Sequence, residues 1–106
     1  MSAPERLGHN EALFREINER IEAGTWISSP SERMAFACEC AALRCNVLVE
    51  LTVSEYEAVR AHPRRFLLAP GHELPAVETV VHGGERYVVV EKRGDAAKAA
   101  EASDPR

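Results

Sequence analysis

The chain has 106 residues, 45% hydrophobic and 28% charged, with a formal net charge of −4. That length suits one domain, and no apolar run approaches the ~18 residues that a membrane span requires. A net acidic chain is a poor neutraliser of phosphates, which counts against non-specific nucleic-acid binding, and the start, Met1 to Arg6, lacks the apolar core of a secretion signal, so the cytoplasm is the expected compartment.

Residues 1–9, with Pro4 and Gly8 and few apolar groups, read as a flexible N-terminal tail. Asn10 is a suitable N-cap and Glu11 follows in the first turn, where the helix dipole favours an acid. Leu13, Phe14, Ile17 and Ile21 then recur at helical spacing, so they are expected to form the buried stripe. Glu11–Arg15 and Glu16–Arg20 are i,i+4 pairs expected on the wet side, and Gly24 ends the helix. Thr25 to Arg33 reads as a connector in which Trp26 and Ile27 tuck back onto the core. Met34–Cys38 and Val47–Leu51 alternate in the manner of strands.

Thr52 and Glu55 have the spacing of a capping box, so a short helix carrying Tyr56 and Val59 should start there and stop before Pro63. Phe66–Ala69 reads as a buried strand, followed by the Pro70-Gly71 turn. Val77–Val81 and Arg86–Glu91 are two further strands, and Gly83-Gly84 between them suits a two-residue hairpin loop of positive φ. Residues 94–106, alanine-rich and polar, read as a disordered C-terminal tail. The expected fold is α+β: one domain over 10–93, in α-β-β-α-β-β-β order, with a small antiparallel sheet, an N-terminal helix and a second short helix. A domain of this size buries only roughly 60–65% of its unfolded surface, so an additional staple would help it.

The three cysteines all fall between positions 38 and 45. Three clustered cysteines in a reducing compartment fit a metal better than a disulfide framework. Zinc takes four ligands in a tetrahedron, and thiolate suits it. Cys38, Cys40 and Cys45 supply three, provided the chain curls, since in a flat strand Cys38 and Cys40 would stand about 7 Å apart. Of His9, His62, His72 and His82, the choice for the fourth ligand is His72, because the tight Pro70-Gly71 turn fixes its backbone. Glu73 beside it is a candidate to orient the imidazole. Two other readings of the cysteines stand beside this one: inert thiols filling core space and redox or catalytic thiols.

Asn10 to Glu19, Phe36-Ala37-Cys38-Glu39-Cys40, Cys45, Glu55-Tyr56-Glu57-Ala58-Val59-Arg60, Pro70-Gly71-His72-Glu73 and Tyr87 to Lys92 together resemble a family of small proteins frequent in actinobacteria. The likeness covers about residues 10 to 92. It implies no activity. It does imply that the cysteines pair with the Pro-Gly-His segment in a zinc-binding Cys3His site, with Ala41 and Ala42 standing where members often carry glycine or a small polar residue.

Arg60, Arg64 and Arg65, with His62, form the one basic cluster, a candidate patch for an anion or an acidic partner, which Arg44 would extend. No nucleophile elbow, phosphate loop or dinucleotide fingerprint occurs. The sequence therefore predicts a zinc-stabilised binding, adaptor or regulatory protein rather than an enzyme, with a structural zinc and a protein partner. A thiol-based redox sensor and a nucleic-acid-binding regulator are the alternatives.

Overall fold

The computed structural model describes residues 3–24, 32–40, 42 and 45–106, with only the backbone path for 3–10. Trp26, Ile27 and Arg44, singled out above, lie outside these residues, as does the side chain of His9. Three helices and five strands follow in the order α1 (Ala3–Ala23), β1 (Arg33–Ala37), β2 (Leu48–Thr52), α2 (Val53–Arg60), β3 (Arg65–Leu68), β4 (Glu78–Gly83), β5 (Val88–Lys92) and α3 (Gly94–Ala102). The fold is α+β, with two small antiparallel sheets rather than one: β1–β2, and β3–β5–β4. No helix among the described residues is long and apolar enough to cross a membrane.

The core is Phe36, Leu51, Tyr56, Phe66, Leu67, Leu68 and Val90, all essentially sealed from water. Phe36 and Tyr56 stack with ring centroids 4.4 Å apart, which ties β1 to α2. The expected capping box is present: Glu55 N–H donates to Thr52 Oγ1 and Thr52 N–H to Glu55 Oε1. The helix it starts ends at Arg60, before Pro63.

Several expectations about the elements fail. The first helix begins at Ala3, so Asn10 lies inside it and residues 3–9 are not a tail. Its buried positions are Glu11, Arg15 and Asn18, whereas Leu13 is exposed. Polar groups can face the interior because each meets partners there: Glu11 the Lys92 ammonium, Arg15 the Asp104 carboxylate, and Asn18 the backbone of β1. Only Glu16–Arg20 remains a surface pair.

The hairpin between β4 and β5 does not turn at Gly83-Gly84. A bulge at Val81 shifts the register between Val80 and His82, and beyond it Gly84 and Tyr87 close the hairpin around a Glu85-Arg86 turn. Neither Gly83 nor Gly84 has positive φ. A Cβ at Gly84 would come within 3.2 Å of the Tyr87 carbonyl oxygen, so a close approach accounts for that glycine.

Residues 94–106, expected to be disordered, instead form α3 and a docked end. Ala97 and Ala100 are buried, and the small side chains let the helix lie close. Beyond α3, Asp104 pairs with Arg15 and Arg60, and Arg106 with Glu19, Glu22 and Glu57. The Glu22 carboxyl, desolvated and sharing a hydrogen bond with Glu57, is raised to about 7.

Candidate metal centre

β1 ends at Ala37, and the next three residues run as the seam between the two sheets. Cys38 N–H still bonds the Val47 carbonyl, extending the β1–β2 ladder. One residue on, Glu39 N–H bonds the Leu67 carbonyl of β3 at 2.7 Å, and Leu67 N–H returns to Glu39 Oε1 at 2.9 Å. The Glu39 side chain thus completes, on the β3 edge, the pattern a neighbouring strand would make. This change of partner from one sheet to the other is the curl that the Cys38–Cys40 spacing demanded.

His72 reaches the same place from the other side. The Ala69–His72 turn is closed by His72 N–H to the Ala69 carbonyl, with Gly71 at φ 88°. Proline at the second position and a positive-φ glycine at the third make a type II turn. Glu73 does not serve as the expected partner of the imidazole: its carboxylate accepts the Gly71 amide and steadies the turn instead.

The sulfurs of Cys38, Cys40 and Cys45 and a ring nitrogen of His72 all lie within 4.8 Å of one another. His72 Nδ1 is 3.7 Å from Cys38 Sγ and 3.6 Å from Cys45 Sγ. A tetrahedral zinc with ordinary bond lengths sets sulfur and nitrogen about 3.6 Å apart and two sulfurs about 3.8 Å apart. The two imidazole–sulfur distances match one coordination shell, and the set as a whole, within 4.8 Å, is somewhat wider than one.

The surroundings suit thiolates. Ala69 N–H donates to Cys38 Sγ at 3.1 Å, and the Ala42 amide donates to Cys40. Burial nevertheless pushes the Cys38 and Cys40 thiols up, and Cys45 adds to both. Three thiolates this close would need a cation among them, and a metal held by these residues would supply it. Cys38 and Cys40 are buried while Cys45 is half-buried.

The residue that sequence reasoning missed is Glu39. It is fully buried, and its carboxylate accepts hydrogen bonds from Asn18 Nδ2 at 2.9 Å, Tyr56 OH at 3.0 Å and the Leu67 amide. Asn18 also brackets Ala37, donating to its carbonyl and accepting its amide, each at 2.7 Å. α1, α2 and β3 thus all grip the segment that carries two of the sulfurs. Burial pushes the Glu39 carboxyl up, against the pull of the Leu67 amide, Asn18 and the guanidinium groups of Arg60 and Arg15. The sequence signal was slight: a glutamate between two cysteines, which alternation would place on the opposite face.

The basic cluster is not a patch. Arg60 is buried, held by Glu19 and Asp104, and so is unavailable to a partner. Arg64 pairs with Glu101 and Arg65 with Glu91. Each guanidinium already has its carboxylate: Glu19 of α1, Glu91 of β5, and Glu101 and Asp104 of the end that sequence reading left disordered. His62 is exposed at the end of α2, and His82 stacks on Tyr87 with ring centroids 5.0 Å apart.

Compared with family models, curated proteins and solved structures, the chain shows no significant match to any of them.

Proposed function

We propose that this chain is a small adaptor or regulatory protein, not an enzyme, whose Cys38, Cys40, Cys45 and His72 hold one zinc ion as a structural staple. The observation that carries this reading is the convergence of three sulfurs and one imidazole nitrogen, drawn from separate segments, within 4.8 Å. Three thiolates and one imidazole fill a tetrahedral shell and leave no position for water or substrate, which is the arrangement of structural rather than catalytic zinc. The site's place between the sheets fits the same role. The likeness to the actinobacterial family belongs to this proposal, since its pattern pairs the same four positions. A protein partner suits the acidic whole better than nucleic acid.

The test is metal content per chain on protein purified without an affinity metal column. About one zinc is expected, and Cys40→Ser should lose it together with several kcal/mol of stability, because metal-binding energy is folding energy here. Iron in its place would overturn the choice of zinc, since a sulfur-rich tetrahedron accepts either. A metal-free chain with unchanged thermal stability would overturn the staple altogether.

One observation favours a second reading, a thiol-based redox sensor: Cys45 is the most exposed of the three thiols, so a peroxide would reach it first. If mild peroxide leaves both zinc content and thiol count unchanged, that reading fails.

A further inference from the structure

Two buried guanidinium groups converge on one atom. Arg15 of α1 is 0% exposed and Arg60, at the end of α2, 3%. Both turn Nη2 toward Oδ1 of Asp104, in the segment that follows α3. Arg15 Nη2 stands 2.9 Å from that oxygen, and the Arg106 amide donates to it at 3.2 Å. The remaining arms are used only in part. Arg15 Nη1 donates to the carbonyls of Pro63 and Ala100 at 3.2 and 3.3 Å, and its guanidinium lies over the Phe66 ring. Arg60 Nε donates to Glu19 Oε1 at 2.7 Å.

One carboxylate oxygen is a poor match for two forks. A guanidinium presents its N–H groups in pairs along an edge, and an oxyanion that fits it takes both members of a pair. Arg60 Nη1, beside the Nη2 that holds Asp104, is sealed from water and has no acceptor among the described residues. On Arg15, Nε also lacks one, and Nη2 is near enough to Asp104 for charge but not aligned for a hydrogen bond. The second oxygen of Asp104 serves none of these donors. Buried N–H groups without acceptors are rare and call for one. The pair is also strained electrostatically: burial, and then the Arg60 charge, push the Arg15 guanidinium below its ordinary value.

The empty arms define the ligand. A phosphate group carries three or four oxygens around a tetrahedron, one for the place of Asp104 Oδ1 and others for the unused N–H groups. It also brings a second negative charge to the second guanidinium. Asp104 can give way to it. Ser103, Pro105 and Arg106 are exposed, so Asp104 is the one residue of this segment turned inward. The segment is tied down beyond it by Arg106, through half-exposed pairs with Glu19 and Glu57 of a kind that contributes little. The Asp104 side chain is itself 13% exposed, so lifting the segment opens the arginine pair to solvent.

We propose that Arg15 and Arg60 form a binding site for a phosphate group, which Asp104 occupies as the protein's own competitor. The site is separate from the exposed Arg64, uses none of the four candidate metal ligands, and can fail or stand without the metal.

The full-length, metal-replete protein, labelled with 15N-arginine, is titrated with inorganic phosphate, O-phosphoserine and acetate at constant ionic strength and followed through the arginine Nε–H signals. A tethered competitor acts at an effective concentration of the order of mM. Asp104→Ala should therefore bind phosphate saturably and at least about tenfold more tightly than the parent, with shifts on Arg15 and Arg60. Acetate should bind that variant at least about tenfold more weakly than phosphate, having no oxygens for the empty arms. Because Asp104→Ala removes a buried charge and can cost folding, Arg106→Ala is measured beside it; it loosens the segment, leaves both guanidinium groups in place, and should give a smaller gain of the same sign. Phosphoserine binding as well as phosphate assigns the site to phosphate esters, and binding of phosphate alone assigns it to the free anion; either sustains the proposal. No gain in either variant, equal binding of acetate and phosphate, or shifts on Arg64 and Arg65 in place of Arg15 and Arg60 would each overturn it.

Discussion

Replacing Glu39 tests whether a single buried carboxylate organises the cysteine segment. The side chain is fully buried and accepts three hydrogen bonds, from Asn18, Tyr56 and the Leu67 amide. Glu39→Ala strands three donors, and each buried donor without a partner costs about 1–3 kcal/mol. Against this, burial already disfavours the charge, as the raised carboxyl shows, so removing it returns part of that loss. Allowing for that relief and for partial collapse, the net cost should be about 3–5 kcal/mol, a large share of the ~5–15 kcal/mol that holds a domain together. Glu39→Gln keeps the shape and one acceptor oxygen but turns an amide toward a donor, so it should cost about 1–3 kcal/mol. Tyr56→Phe removes a donor rather than stranding one and should cost about 1–2 kcal/mol. The assay is urea unfolding by linear extrapolation at fixed, saturating zinc, so that metal linkage does not enter the comparison. A Glu39→Ala protein within about 1 kcal/mol of the parent would refute the reasoning. So would a glutamine variant as unstable as the alanine one, since the order rests on how many donors are stranded.

Three further outcomes are expected. Arg60→Ala should destabilise the fold by about 2–4 kcal/mol, because it empties the place of a buried guanidinium and takes one of two cations from each of Glu19 and Asp104, whereas Arg64→Ala, at an exposed pair, should change stability by less than about 1 kcal/mol; equal effects in thermal melts would restore the surface-patch reading. Glu55 is held down to about 2, first by the Arg86 guanidinium and also by the Thr52 amide and Tyr87 hydroxyl. A depressed acid adds stability above its unfolded value and loses it as pH falls, so the parent should lose stability between pH about 4.5 and about 2, and Glu55→Gln should show a smaller loss there; parallel curves for the two would contradict this. Gly71→Ala meets no neighbour within 4 Å but must hold φ 88°, so it should cost about 1–2 kcal/mol and weaken metal binding in a chelator competition, while unchanged metal affinity would show that the turn does not position His72.

The grouping of the three cysteines with His72 was legible because its signals are local. Three cysteines crowd into eight positions, and Pro70-Gly71 fixes the backbone before His72 through a turn that two residues dictate. The capping box of α2 was legible for the same reason. What escaped the sequence depends on partners far along the chain. Glu11, Arg15 and Asn18 look like the wet face of α1 until Lys92, Asp104 and Ala37 are seen to meet them. Arg60 looks like a solvated helix end until Glu19 and Asp104 close on it. α3 has no large apolar residue to announce it, because its contribution to packing is the smallness of Ala97 and Ala100. The Val81 bulge leaves no mark on the local pattern, yet it shortens the β4–β5 loop to the two residues Glu85-Arg86.

The route of the backbone through Cys38 and Glu39 bears on how the molecule should come apart. The β1–β2 ladder and the β3–β5–β4 ladder are separate networks, joined at the backbone where Glu39 changes partners from one to the other. Amide exchange should therefore sort into two families, the amides of β1 and β2 opening at one free energy and those of β3, β4 and β5 at another. The amides of Glu39 and Leu67, bonded across the boundary, should exchange with the less stable of the two.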